Sequence, residues 1–437
     1  MIKIYWFFLL ALTTFAGRAQ TLYFPPIAGN NWETTDPASL GWCTEQIAPL
    51  LQFLQENDSK AFIVLKDGKI VIEAYFGTFT QDSIWYWASA GKTLTAFLVG
   101  LAQEQNSLLI SEPSSKYLGT GWTSCTPVQE SQITIWHQLT MTTGLNDGVP
   151  DPFCTLPACL VFQAQAGTRW AYHNGPYTLL DVVLTQATGQ TLNGFFFNNI
   201  TRATGITGSF LKLDFNNVFF SRARSMARFG LLMLNRGNWN GTQIMANMGF
   251  FDAMISPSQT LNNSYGYLWW LNGKQSYMLP GLQFVFQGSL FPNAPANMYA
   301  ALGKNGQILN VVPGMNLVML RLGNAPNAGP VPASLNDSIW VRLNKVICQP
   351  SSIIKPQDFT SQLRIYPNPA ANQVFVDLPG QEFSLSVFDQ GGNLVFTSHN
   401  FRESAVLNTG HLPQGIYFLK LTTQYNISIT KKFLIKR

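Results

Sequence analysis

Three short polar boxes lie far apart along the chain: Ser89-x-x-Lys92, Tyr172-x-Asn174 and Lys304-x-Gly306. A fold that uses them together must gather segments separated by domain-sized lengths of sequence. The first box sits in WYWASAGKTLTAFLVG, where Leu94, Phe97, Leu98 and Leu101 recur at helical spacing. A three-residue step puts both side chains on one helical face, so the lysine amine can lie against the serine hydroxyl. The start of a helix also offers unpaired N–H groups and the positive end of the dipole, where an oxyanion would form. A serine becomes a useful nucleophile only when a neighbouring base takes its proton, which a lysine can do if its surroundings depress its pKa. The pattern alone is weak, since S-x-x-K recurs at Ser209/Lys212, Ser352/Lys355 and Ser428/Lys431. Decoys of the other boxes, Tyr366/Asn368 and Lys66/Gly68, fall in the C-terminal tail or ahead of the serine.

The chain has 437 residues, enough for two or three units at ~150 residues each. Residues 1–19 read as a secretory signal peptide, with Lys3, the apolar run Ile4 to Ala16, and Gly17-Arg18-Ala19 as a cleavage site. That run is too short to cross a ~30 Å hydrocarbon layer as a helix, and no later segment suggests a transmembrane span. Charged residues are only 11% of the chain while apolar residues are 46%, which argues for a surface of Asn, Gln, Ser and Thr and against disorder. A net charge of +5 is too small for a nucleic-acid footprint, and its one dense basic run is Lys431, Lys432, Lys436 and Arg437 at the very end. Export permits disulfides, and Cys154 and Cys159, close in sequence, suit a small staple beneath a loop. An odd total of five cysteines leaves at least one thiol free in a monomer. No histidine stands at ligand spacing from a cysteine pair, so no metal is expected, and no cofactor motif is present.

From residue 365 to 437, short alternating strands (Val374 to Leu378, Phe383 to Phe388, Leu394 to Phe396, Ile416 to Leu421, Lys432 to Ile435) alternate with turn signals, the pattern of a small β-sandwich. Its opening YPNP, the FDQGGNLV strand-turn-strand, the LPQGIYFLK box and the final KKFLIKR together resemble the C-terminal sorting domain of the type IX secretion system of Bacteroidota. The resemblance implies handling by that machinery and a secreted or cell-surface location. Residues 348–364 read as a linker. The body, residues 20–347, is expected to be α+β: an antiparallel sheet flanked by helices, with a helical subdomain. Ala61 to Phe76 forms a hairpin around Asp67-Gly68. Tyr299 to Leu322 forms a strand pair that turns at Pro313-Gly314, with the Lys304 box on an edge strand.

The three boxes in this order, with LTMTTGL (Leu139 to Leu145) and SRARSMARFGLLMLNRGNWNG (Ser221 to Gly241), resemble the serine β-lactamase and penicillin-binding-protein superfamily, nearest to class C enzymes and their esterase and amide-hydrolase relatives. The resemblance implies Ser89 as nucleophile, Lys92 as its proton partner and Tyr172 as the acid and base serving the leaving group. It implies Asn174 as a hydrogen-bonding support and Lys304 as a cation that lowers the tyrosine pKa or meets a substrate anion. Asn305, Gly306 and Gln307 complete the implied substrate and oxyanion site, with the Ser89 and Gln307 N–H groups as the oxyanion donors. Asn305 stands where β-lactam-binding relatives carry threonine, which widens the implied substrate to an ester, amide, β-lactam or short peptide. Two alternatives remain open, a D,D-peptidase and a catalytically inactive binding module of the same fold. His137 reads as structural. His173 is open between facing away from the site and touching substrate, and Trp85, Tyr86 and Trp87 are open between an acyl pocket and core packing.

Overall fold

The computed structural model describes residues 22–325, 329, 331–348, 363–390, 393–423 and 428–437. The expected leader lies outside the described residues, as does most of the expected linker. The chain divides into two compact units, Met1–Cys348 and Gln349–Arg437.

In the first unit, α1 (Ile47–Glu56) buries Leu50 and Leu54 and leads into the hairpin of β1 (Ser59–Lys66) and β2 (Lys69–Tyr75). Asp67 and Gly68 both take positive φ, 52° and 84°, which gives the primed turn that matches strand twist. After β3 (Ile84–Tyr86) and a single 3-10 turn over Ala88–Gly91 comes α2, Lys92–Glu104. Every residue of α2 from Lys92 to Ala102 is buried, so this helix runs through the core and has no solvent face. Mostly helical chain follows, including α3 (Asn174–Thr178) and α4 (Leu180–Thr188), which is the expected helical subdomain. Next are β4 (Ser209–Leu213), β5 (Asn216–Arg222) and α5 (Ala223–Leu234). The unit ends with β6 (Trp270–Leu271), β7 (Tyr299–Gly303), β8 (Gln307–Val312), β9 (Leu317–Gly323) and α6 (Ala333–Ile347).

The main sheet runs β2-β1-β9-β8-β7-β6 and is antiparallel at every pairing. Helices cover both of its faces. Gly230 of α5 sits so close to Leu309 and Val318 that a Cβ there would lie 2.9 and 2.5 Å from them. The neighbouring Asn310 bonds Asn336 of α6, and successive strand residues point to opposite faces. Being covered on both sides, β8 and β9 are buried along their whole length, which is why QILNVV and LVMLRLG read as continuous runs rather than alternations. A smaller sheet, β3-β5-β4, packs beside the start of α2, where the Trp87 N–H donates to Phe219 O at 2.8 Å.

Two expectations are corrected here. Tyr299 to Leu322 forms three strands rather than a pair, because Tyr299–Gly303 pairs with both β8 and β6. Lys304-Asn305-Gly306 is the turn between β7 and β8 rather than part of an edge strand. Disulfides join Cys43 to Cys348 and Cys154 to Cys159, leaving Cys125 as the free thiol among the described residues.

The second unit is an antiparallel sheet of β10 (Arg364–Tyr366), β11 (Gln373–Phe388), β12 (Leu394–Asn408), β13 (Gly415–Thr423) and β14 (Ser428–Ile435). It wraps its own core, which includes Val374, Val376, Leu385, Leu407, Leu419 and Phe433, in a sandwich-like, nearly closed arrangement. The two expected strands at 374–378 and 383–388 are one strand, bent by a register irregularity between Asp377 and Glu382. The strand expected at Leu394 to Phe396 extends to Asn408, through polar residues that carry no alternation signal.

Candidate active site

Ser89 lies in the 3-10 turn that feeds α2. The residue before it, Ala88, is held at φ 46°, a left-handed conformation that costs free energy in a residue with a Cβ and persists where surrounding structure imposes it. Lys92 opens α2 one turn later. Its Nζ lies 3.1 Å from Ser89 Oγ and donates to Asn174 Oδ1 at 2.8 Å. The amine also lies 4.0 Å from the Tyr177 ring centroid and 5.3 Å from that of Tyr172. Only 4% of Lys92 is exposed. Burial pulls its pKa down from 10.5 to about 7, with the Asp181 carboxylate pulling the other way.

Tyr172 comes from the extended stretch ahead of α3. The Ala171 N–H bonds Met141 O at 2.9 Å and Gln283 Nε2 bonds Trp170 O at 3.0 Å, which fixes the backbone just ahead of the ring. The ring stacks on Trp270 with centroids 5.8 Å apart. Burial holds the phenol above its ordinary pKa, opposed by a hydrogen bond with Ser89. The Lys304 ammonium is not among the groups that set this shift.

The motifs gave no hint of Asp181. It lies on α4, seven residues after Asn174 and four after Tyr177, so all three occupy one face of the α3–α4 segment. Asp181 is 6% exposed and its carboxylate accepts a bond from Asn217 Nδ2. Burial raises its pKa to about 7, while Asn217 and then Lys92 act to lower it. A carboxylate inside the apolar run LLDVVL was the available signal.

The third box approaches Ser89 through Gly303. A Cβ on Gly303 would lie 2.4 Å from Trp87 O and 2.9 Å from Ala90 N, so only glycine lets β7 end against the turn that carries Ser89. Asn305 adopts φ 63°, a region asparagine tolerates, and its Nδ2 donates to the Tyr86 hydroxyl at 2.7 Å. The fully buried Arg321 clamps the turn from below, donating to Asn305 O at 2.9 Å, Gly306 O at 2.7 Å and Ser59 Oγ at 2.9 Å. Gln307 is also fully buried, and its side chain bonds Gly323 O at 2.7 Å. Its strand, β8, lies between β7 and β9, and N–H groups of an interior strand point in the sheet plane toward their neighbours. On its other side, β7 has an outer edge that β6 leaves unpaired beyond Ala300.

Ser89, Lys92, Tyr172, Asn174 and Lys304 line one cavity of about 400 Å³, together with Asp147, Phe153, Tyr177, Asn217 and Pro280 among others. Asn305, Gly306 and Gln307 are not in its wall. Lys304 is exposed, and its ammonium has no hydrogen-bond or ion-pair partner among the described residues. Asp147 is paired with Arg169 at 2.5 Å. Neither His173 nor the Trp85–Trp87 run lines the cavity. His173 is buried with its pKa lowered to about 4, mainly by desolvation. Trp87 is fully buried against Phe219 and Phe229. His137 Nδ1 is 2.8 Å from Thr134 Oγ1 within a capping box, a structural role. No cluster of His, Cys, Asp or Glu among the described residues could hold a metal, and no described helix is long and apolar enough to cross a membrane.

The family model described as Beta-lactamase matches residues 55–343, and the model of the Secretion system C-terminal sorting domain matches residues 364–436. No curated protein sequence matches the chain. Among solved structures, a provisionally assigned beta-lactamase from Bacteroides dorei DSM 17855 is similar with a TM-score of 0.56 at 16% identity, covering 70% of this chain and 99% of that one. A provisionally assigned 6-aminohexanoate-dimer hydrolase from Bacillus anthracis gives 0.52 at 20% identity, covering 74% and 87%. A penicillin-binding protein homolog from Caulobacter crescentus gives 0.51 at 13% identity, covering 70% and 98%. At these identities the likeness concerns the fold.

Proposed function

The chain belongs to the beta-lactamase family across residues 55–343, and from that premise we propose that it is an exported serine hydrolase that works through an acyl-enzyme on an ester or amide. The observation that carries this reading is the 3.1 Å approach of a buried lysine, with its pKa near 7, to the hydroxyl of Ser89. A neutral Lys92 takes the Ser89 proton as Oγ attacks the substrate carbonyl. The oxygen that becomes negative is met by the Ser89 N–H and a second N–H from the Lys304–Gln307 segment, each donor of this kind contributing roughly 3 to 4 kcal/mol to the transition state. The elevated pKa of Tyr172 keeps it a neutral phenol at physiological pH. It therefore relays a proton from Lys92 to the leaving oxygen or nitrogen, while the lysine is the group that changes charge. The C–O or C–N bond breaks, the alcohol or amine departs, and water hydrolyses the acyl-enzyme by the same path in reverse. Asn174 holds the Lys92 amine in place, and the unpaired Lys304 ammonium attracts a negatively charged substrate group.

The test is covalent labelling with an activated fluorophosphonate. Wild type is expected to gain one label per chain, Ser89→Ala none. Equal labelling of both would exclude Ser89 as the nucleophile, and no labelling of either would remove the acyl-enzyme route.

A further inference from the structure

Two segments line the cavity, and both continue along the chain to exposed apolar side chains. In the first, Pro152 and Phe153 line the wall and the chain goes on to Leu156, 56% exposed. In the second, Pro280 and Gly281 line the wall and the chain goes on to Leu282 and Phe284, 46% and 61% exposed. At no more than ~3.6 Å per residue, Leu282 and Phe284 lie within about 11 Å of Gly281 at the cavity wall. Single exposed hydrophobics need no explanation. A group of them on segments that line a cavity does, because apolar patches mark binding surfaces.

Both segments are anchored. The disulfide Cys154–Cys159 closes the first, and the Gly175 N–H donates to Pro152 O at 2.9 Å, tying the loop to α3. The second is pinned by Gln283 on Trp170 O. Phe284 packs edge-on against Phe286, which stacks on Tyr277 with centroids 5.2 Å apart. Apolar side chains are thus presented at fixed positions on segments that line the cavity of Ser89.

Resting on the serine-hydrolase reading, we propose that these segments form a seat for the acyl chain, so that the preferred substrates are esters or amides of extended apolar acids rather than of acetic acid. The acetyl group ends inside the cavity. A longer chain leaves it between Phe153 and Leu282 and covers Phe284.

The experiment measures kcat/KM for p-nitrophenyl acetate, butyrate and octanoate, each below its aggregation limit, with wild type and the Leu282→Ser/Phe284→Ser double variant. Both positions are exposed, so the fold should survive. The expected result is an octanoate-to-acetate ratio well above one in wild type, bounded by about fourfold per methylene that reaches the seat. The ratio is expected to fall at least tenfold in the variant. A flat series in wild type, or a ratio the double variant leaves unchanged, would overturn the acyl-chain seat while leaving serine catalysis intact, and would assign the patch to a partner protein or a membrane. Failure of the underlying reading looks different: no ester is cleaved and Ser89 takes no label.

Discussion

At the scale of single residues, burial sets the behaviour of Lys92 and the buried Asp181 opposes it. An ammonium inside apolar surroundings is disfavoured, and the nearby carboxylate offsets part of that cost. Replacing Asp181 by Asn removes the offset, so the lysine should lose its proton at lower pH than before. We expect the acidic limb of the kcat/KM profile, which lies near pH 7 if neutral Lys92 is the base, to move down by roughly one unit. A purely structural Asp181 would lower the whole profile and leave the limb in place, which a full pH titration separates. Asp181 and Arg321 also mark where sequence reasoning ends. The pairing of Ser89 with Lys92 is legible because a three-residue step fixes a face of a helix. Asp181 acts on Lys92 only because α4 packs against α2, and Arg321 matters only because the turn of the Lys304 box closes over it. No local spacing encodes either contact.

Between residue and molecule lies the meeting of β7 with the turn that carries Ser89. The bare Cα of Gly303 sets that approach, and the strand carries Lys304 directly beyond it. Gly303→Val would drive carbons into Trp87 O and Ala90 N. We expect kcat/KM to fall about 100-fold, since a displacement of ~1 Å at a catalytic group can cost that much. Urea unfolding should show a penalty of similar size, about 1 to 3 kcal/mol of overpacking; an unchanged kcat/KM would mean the strand end plays no part in the site. Several elements were readable ahead of the structure. The Asp67-Gly68 hairpin carries its own turn chemistry, and β8 and β9 carry long apolar runs. Tyr299–Gly303 was not readable as a separate strand, because YAALG has few β-formers and its identity comes from pairing with β6 and β8. The leftover ambiguity placed the Lys304 box on an edge strand rather than in a turn.

For the whole molecule, each of the two units has its own core, and the second matches a sorting domain. Deleting residues 365–437 should therefore leave a folded body that no longer leaves the periplasm, as checked by blotting periplasm and medium. Appearance of the truncated form in the medium would refute this. In the body, the Cys43–Cys348 bridge spans 305 positions of sequence. By chain entropy alone such a closure contributes on the order of 5 kcal/mol, so the Cys43→Ser/Cys348→Ser double variant, which leaves Cys154–Cys159 intact, should melt at a lower temperature without a change in the cavity. The same bridge also determines how the body carries mechanical load. Cys348 follows the end of α6 directly, so a pull arriving through the tail meets a covalent tie to the segment ahead of α1 before it meets α6. The helix cannot be peeled away turn by turn from its C-terminal end. Tension is divided between two distant points of the chain, and a reduced molecule would begin to unravel at α6 under a weaker pull.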